Sequence, residues 1–165
     1  MAAGSCLSVV QCRRARRPPV DALAGSRLPD GYRPGADSTL HRVSDSTVLL
    51  ATDADHIHDE VDAALGGDHT VVRVHAGAEV LAAVDEHGPD LVVLDLQIGN
   101  MGGMATCLDL RLEERAERIP PQRVVMLLDR EADVFLARRA EADAWVVKPV
   151  DPLALRRTAQ DALAG

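Results

Sequence analysis

From residue 47 onward, short apolar runs alternate five times with longer segments that have the period of a helix. Runs of about four to eight residues fit strands, and apolar residues spaced three and four apart fit amphipathic helices. The predicted strands are 47–52, 70–74, 91–95, 123–128 and 143–147, and the predicted helices are 55–65, 78–86, 104–118, 130–141 and 152–164. This alternation predicts an α/β fold with a parallel sheet covered by helices on both faces.

The composition of the runs also predicts their order in the sheet. The first, third and fourth runs are apolar throughout, as strands buried on both faces are. Arg73 interrupts the second run and Asp143 flanks the short fifth, so these two belong at the edges. We therefore expect a flavodoxin-like, doubly wound five-stranded sheet of order 2-1-3-4-5. Its ligands would bind beyond the carboxyl ends of the first and third strands.

Residues 1–45 differ from the rest of the chain. They contain 7 arginines against 4 aspartates, whereas the remainder contains 11 basic against 22 acidic residues. This stretch has no sustained hydrophobic period and is rich in Arg, Pro, Gly and Ser, which predicts a disordered tail before a folded domain at 46–165. The alternatives are an arginine-mediated binding arm, for nucleic acid or membrane, and an artefact of an early assigned start site.

Charge, cysteine spacing and the lengths of the apolar runs argue against several classes of protein. An acidic body argues against nucleic-acid binding by the folded domain. Cys6, Cys12 and Cys107 fit neither a metal-site spacing nor a disulfide framework, which favours a reducing compartment. No apolar run has the length of a membrane span, and the apolar stretch 6–10 precedes its arginines, the reverse of a secretion signal. We expect a cytoplasmic protein without a membrane partner.

Asp95 and Lys148 end two of the apolar runs. Lys148 is the only lysine in the chain, and it precedes Pro149. An ammonium on a flexible stem reaches an anion as a compact charge, whereas a guanidinium presents a wider planar fork. Taken singly, Asp95 would be a turn residue and Lys148 a solvated charge. Their shared place at the carboxyl ends of strands favours a functional pair.

The carboxyl ends of the first, third, fourth and fifth strands should meet at one cleft. The residues placed there are Thr52, Asp53, Asp95, Leu128, Asp129 and Lys148. Asp53 beside Asp95 is a like-charge pair, which is costly without a cation, and hard oxygen ligands favour Mg²⁺. With that ion, Asp95 can attack a phosphoryl group whose charge Lys148 helps to neutralise.

Four segments carry a resemblance to a known family. They are VLLATDAD, LVVLDLQIGNMGG, VVMLLD and AWVVKPVDP. On these motifs, residues 47–165 resemble a receiver domain of the two-component response-regulator family, of the single-domain chemotaxis or sporulation type. The resemblance implies that Asp95 accepts phosphate from a histidine kinase or phosphotransfer protein. It also implies that Asp53, Asp95 and the backbone carbonyl of Gln97 ligate Mg²⁺.

The resemblance assigns three further roles. Lys148 would hold a phosphoryl oxygen, and its bond to Pro149 would be cis. Trp145 falls where receivers often have an aromatic that moves on activation.

The chain departs from the family pattern near the cleft. Thr52 replaces the first of two acids, which weakens a magnesium site although its hydroxyl can hold a metal-bound water. Leu128 replaces the Ser or Thr that contacts the phosphoryl group and couples it to the aromatic switch. Asp129 adds an anion that opposes phosphate, and Ile98-Gly99 replaces the usual Met-Pro, which makes that loop more mobile.

Other candidate sites have simpler interpretations. His56 and His58 stand two apart on a predicted helix and face different directions, so they are poor joint metal ligands. Glycines 99, 102 and 103 lack a following Gly-Lys-Ser/Thr and are more typical of a turn than of a phosphate loop. Cys107 lies inside a helix and is typical of a packed core thiol.

The expected function is a stand-alone receiver that accepts phosphate on Asp95 and signals by protein contact. Helix four, strand five and helix five would contact a downstream protein target. No conventional enzyme activity is expected beyond phosphoryl transfer to Asp95 and self-dephosphorylation. The alternative is a phosphorylation-independent pseudo-receiver that binds a partner constitutively. A flavin- or nucleotide-binding protein is disfavoured because no phosphate loop follows the first strand.

Overall fold

The computed structural model describes residues 46–164, which contain a parallel five-stranded sheet of order β2-β1-β3-β4-β5. The strands are β1 (Ser46–Ala51), β2 (His69–Val74), β3 (Leu91–Asp95), β4 (Val124–Leu128) and β5 (Ala144–Val147). The predicted fold class and strand order are therefore confirmed. The tail predicted for residues 1–45 lies outside the described residues.

Five helices connect and cover these strands. They are α1 (Asp55–Leu65), α2 (Val80–His87), α3 (Gly103–Arg115), α4 (Val134–Arg139) and α5 (Pro152–Ala164). Short 3₁₀ turns at Gly77–Glu79 and Glu131–Asp133 lead into α2 and α4. Asp151 caps α5, because its Oδ1 accepts a hydrogen bond of 2.7 Å from the Ala154 amide. None of the described helices is long and apolar enough to cross a bilayer.

The core has two layers because successive strand residues point to opposite faces of the sheet. Leu49, Val92 and Met126 pack on one face with side chains from α2, α3 and α4. Leu50 and Val93 pack on the other face with side chains from α1 and α5. The predicted edge strands are also the less buried ones, since β2 has no fully buried residue while all of β3 and β4 is buried.

Two predicted helices end earlier than expected. The helix predicted for 104–118 ends at Arg115, because Glu117 adopts a left-handed conformation with φ 57°. The helix predicted for 130–141 is α-helical only over Val134–Arg139, and Glu141 has φ 59°. A non-glycine residue in the left-handed region interrupts the helical hydrogen-bond ladder.

Arg111 of α3 is a buried charge that ties three parts of the chain together. Its guanidinium donates to the carbonyls of Glu141 and Gln122, both at 3.0 Å. It also pairs with Glu114 at 2.7 Å and Asp143 at 2.9 Å. Burial alone would lower the pKa of Arg111, but the charges of Asp143 and Glu114 raise that pKa above its ordinary value. The helix α3 is therefore fastened to the segments before β4 and β5.

The loop between β3 and α3 is held by Gly77. The Gly77 amide donates to the Gly99 carbonyl at 3.2 Å, and Thr106 Oγ1 donates to the Met101 carbonyl at 3.0 Å. A Cβ on Gly77 would overlap the Met101 carbonyl oxygen and Thr106 Oγ1. Only glycine allows this close approach, so Gly77 helps to fix the loop that follows Asp95.

We expect Arg111→Ala to lower the free energy of unfolding by about 3 kcal/mol, because it removes a buried guanidinium that bonds to two backbone carbonyls and two carboxylates. The matched control is Arg115→Ala, whose partner Glu141 is exposed; it should cost at most about 1 kcal/mol. Urea denaturation measures both values. Equal losses in the two variants would contradict the role assigned to Arg111.

We expect Gly77→Ala to lower the free energy of unfolding by about 1–3 kcal/mol, because the added methyl group forces the loop away. Gly67→Ala is the control, since no atom lies within 4 Å of a Cβ there. Thermal and urea denaturation test this difference. If both variants were as stable as the wild type, the close packing at Gly77 would not constrain the loop.

Candidate functional site

Asp95 is the last residue of β3 and is 2% exposed. Its Oδ1 accepts hydrogen bonds from Lys148 Nζ at 2.6 Å and from the Gln97 amide at 3.0 Å. Its Oδ2 accepts a hydrogen bond from Thr52 Oγ1 at 3.0 Å. Both carboxylate oxygens are therefore fixed in one orientation at the carboxyl edge of the sheet.

Lys148 follows β5 and reaches this carboxylate from the fifth strand. Its backbone amide donates to the Leu128 carbonyl at 2.7 Å, and the Lys148–Pro149 peptide bond is cis. Its Nζ lies 2.6 Å from Asp95 Oδ1 and 3.2 Å from Asp129 Oδ1. Burial alone would lower the pKa of Lys148, but the hydrogen bonds and charges of Asp95 and Asp129 raise it above its usual value. The site thus holds a charged ammonium between two carboxylates.

Thr52 and Asp53 follow β1 but contact different partners. Thr52 is fully buried, and its hydroxyl donates to Asp95 while accepting from the Ala54 amide at 3.2 Å. Asp53 is exposed, and its Oδ2 accepts from the Gly99 amide at 3.2 Å. The structure therefore places Thr52 directly on Asp95 and Asp53 against the following loop.

The oxygen donors at this edge are of the kind that a magnesium ion takes. The carboxylates of Asp53 and Asp95 and the carbonyl of Gln97 are hard ligands near the point where the strand order reverses. Within residues 46–164, no group of three or more His, Cys, Asp or Glu side chains could hold a metal ion. Thr52 supplies a neutral hydroxyl beside Asp95, so a divalent cation at this edge would meet less negative charge than three carboxylates would give.

Leu128 and Trp145 lie together on one side of the sheet. Leu128 ends β4, is fully buried, and belongs to the same apolar cluster against which the half-buried Trp145 packs. The Arg138 guanidinium lies 5.3 Å from the centre of the Trp145 ring, a cation–π contact. The leucine side chain offers no hydrogen-bond donor at the end of β4.

The contacts that two residues make near the site were not predicted from the sequence. Arg73 marked an interrupted edge strand, yet its Nε donates to the Thr52 carbonyl at 3.1 Å and its Nη1 to Asp55 at 2.9 Å. Gly77 holds the loop after Asp95. An arginine inside an apolar strand could have indicated a specific polar contact. The residues around Gly77 give no such indication.

The other residues considered as candidate sites make local contacts typical of packing and turns. His56 is exposed, and His58 Nδ1 lies 3.4 Å from the neighbouring Asp59. Cys107 is buried with its thiol directed to the Ala140 carbonyl, and burial raises its pKa to about 11. The Gly103 amide donates to the Leu96 carbonyl at 3.2 Å, which closes the turn into α3.

A family model and a related sequence both match this chain. A family model for the response regulator receiver domain matches residues 48–160. An uncharacterised response regulatory protein of Mycobacterium tuberculosis is 36% identical over 91 residues, which cover 55% of this chain and 65% of that protein. The match thus spans less than two thirds of that relative.

Solved structures share the fold. A putative response regulator from Chloroflexus aurantiacus has a TM-score of 0.67 and 22% identity, covering 74% of this chain and 100% of that one. The receiver domain of a sensor histidine kinase from Pseudomonas aeruginosa, with magnesium coordinated in its active site cleft, has a TM-score of 0.64 and 18% identity over 74% and 100%.

The family match covers most of the chain and coincides with the 2-1-3-4-5 sheet whose carboxyl edge holds Asp95 and Lys148. This protein belongs to the response regulator receiver domain family.

Proposed function

We propose that this receiver accepts a phosphoryl group on Asp95 from the phosphohistidine of a histidine kinase or phosphotransfer protein. The observation that carries the proposal is the 2.6 Å bond between Lys148 Nζ and a buried Asp95 carboxylate at the carboxyl edge of the sheet. An Asp95 oxygen attacks phosphorus, the P–N bond to the imidazole breaks, and the bond electrons leave with the imidazole nitrogen. Water attack on the acyl phosphate later releases inorganic phosphate and restores the carboxylate.

The chain's own residues hold the reactants in place. The Gln97 amide and the Thr52 hydroxyl orient the Asp95 carboxylate before attack. The attacking oxygen exchanges one of these hydrogen bonds for the new O–P bond. Lys148, on its flexible stem, can then contact the phosphoryl oxygens and neutralise part of their charge.

In this proposal Asp53, Asp95 and the Gln97 carbonyl hold Mg²⁺, with Thr52 contributing through a bound water. The ion would supply charge neutralisation for the transferred group. Support comes from the oxygen donors and from their location at the switch point of the sheet. The neutral Thr52 hydroxyl makes this site weaker than one with a further carboxylate.

Signalling would proceed through the surface formed by α4, β5 and α5, which contacts a downstream protein target. Phe135 on α4 is 61% exposed and Leu153 on α5 is 66% exposed. Exposed large apolar side chains suit a protein partner. The folded domain would bind neither nucleic acid nor membrane, and it would act in the cytoplasm, where histidine kinases present their phosphohistidine.

The second candidate function is a pseudo-receiver that binds its partner without phosphorylation. The buried Leu128 favours it, because a leucine cannot donate a hydrogen bond to a phosphoryl oxygen. The two candidates differ in whether a phosphodonor modifies Asp95.

Incubation of the full chain with magnesium and acetyl phosphate should add one phosphoryl group in intact-mass spectra. Asp95→Asn should abolish that gain, because the amide is not a nucleophile of this kind. Asp85→Asn, at an exposed aspartate of α2, should retain it. Persistence of the mass gain in Asp95→Asn would exclude Asp95 as the acceptor, and no gain in the folded wild type would favour the pseudo-receiver.

Phosphorylation should leave the fluorescence of Trp145, the only tryptophan in the chain, nearly unchanged. Leu128 lacks the hydroxyl that would link a phosphoryl oxygen to the aromatic position. Phosphorylation should therefore leave the contacts of the Trp145 ring unchanged. Emission spectra of the wild type and of Asp95→Asn, before and after acetyl phosphate, measure this. A large change in the wild type that is absent in Asp95→Asn would show that the switch is coupled despite Leu128.

A further inference from the structure

Asp95 and Asp129 share one ammonium group. Lys148 Nζ lies 2.6 Å from Asp95 Oδ1 and 3.2 Å from Asp129 Oδ1. The other oxygen of Asp129, Oδ2, is buried and has no hydrogen-bond partner among residues 46–164. The charge of Asp129 is therefore compensated chiefly through Lys148, although its side chain is 34% exposed.

A phosphoryl group on Asp95 would need the same ammonium. It would bring additional negative charge to a carboxylate that is 2% exposed. Leu128 offers no hydroxyl to share the phosphoryl oxygens, so Lys148 is the one cationic side chain in hydrogen-bond contact with Asp95 among the described residues. Any hold of Asp129 on Lys148 then opposes the incoming group directly.

We propose that Asp129 competes with the phosphoryl group of Asp95 for Lys148 and thereby raises the phosphodonor concentration that the receiver needs. This inference rests on the proposed function of Asp95. Asp129 is a positioning residue here, because it acts through Lys148 and forms no bond to phosphorus. Its carboxylate would set how readily the receiver is modified, and the domain would respond only to a strong phosphodonor signal.

The test compares the full-length wild type with Asp129→Asn, Asp129→Glu and Glu131→Gln. Asp129→Asn keeps the shape of the side chain and removes its charge, whereas Asp129→Glu keeps the charge. Glu131→Gln removes the same charge from an exposed side chain two residues further along, on the 3₁₀ turn before α4. Each protein is titrated with acetyl phosphate at fixed magnesium, and the phosphorylated fraction is read by intact mass.

Asp129→Asn should reach half-maximal phosphorylation at about tenfold less acetyl phosphate than the wild type, since a like charge beside the acceptor is removed. Asp129→Glu should resemble the wild type. Glu131→Gln should stay within about twofold, because an exposed charge is screened.

A second readout needs neither magnesium nor phosphodonor. Because Lys148 is the only lysine, isotope labelling of lysine gives a single side-chain NMR signal. Asp129→Asn should shift that signal, and Glu131→Gln should leave it in place. An unshifted signal in Asp129→Asn would overturn the inference without reference to phosphorylation.

Different results would exclude competition by Asp129 and modification of Asp95. Equal titration curves for all four proteins would overturn the competition by Asp129 and leave Asp95 as phosphoacceptor. Absence of any mass gain in all four folded proteins, even at saturating acetyl phosphate, would overturn the proposed function and the competition with it.

Discussion

Parallel pairing of β3 with β1 on one side and β4 on the other determines where the polar chemistry of this chain can lie. Leu50 pairs with Val93, and Asp95 pairs with Leu127, so the carboxyl ends of three buried strands arrive at one edge. A parallel sheet with both faces covered has no room for charge inside it, and polar side chains collect where the strands stop. Thr52 and Asp95 meet there because their strands are neighbours, although they are far apart in the sequence.

The order of the strands could be predicted from the sequence because apolar patterning is a property of whole segments. Three uninterrupted runs had to be central strands, and the interruption at Arg73 placed its strand at an edge, as observed. Helix ends were harder to predict, since the left-handed conformations of Glu117 and Glu141 arise in residue types that rarely mark a stop. The cleft residues could be named from their strand ends. The sharing of Lys148 by two carboxylates could not, because side-chain reach depends on the finished backbone.

The buried Arg111 and the partly buried Lys148 are accommodated in different ways. Arg111 has backbone carbonyls and carboxylates around its planar guanidinium, which is a complete and rigid set of partners. Lys148 has only carboxylate partners for a single point charge on a flexible stem. The first arrangement resists change and serves stability, since loss of any partner leaves a buried charge. The second leaves an ammonium on a flexible stem that can also reach another anion entering the site.

Arg73 places a charged side chain on β2, an edge strand of the sheet. An edge strand exposes backbone amides and carbonyls that could pair with a strand of another molecule. On β2, a charged side chain sits among valines and is held in place by the Thr52 carbonyl and Asp55. A second strand laid along β2 would have to accommodate this fixed guanidinium on the sheet face. Arg73 therefore both steadies the loop after β1 and places a charge on the edge strand, one of the features that disfavour pairing between sheet edges.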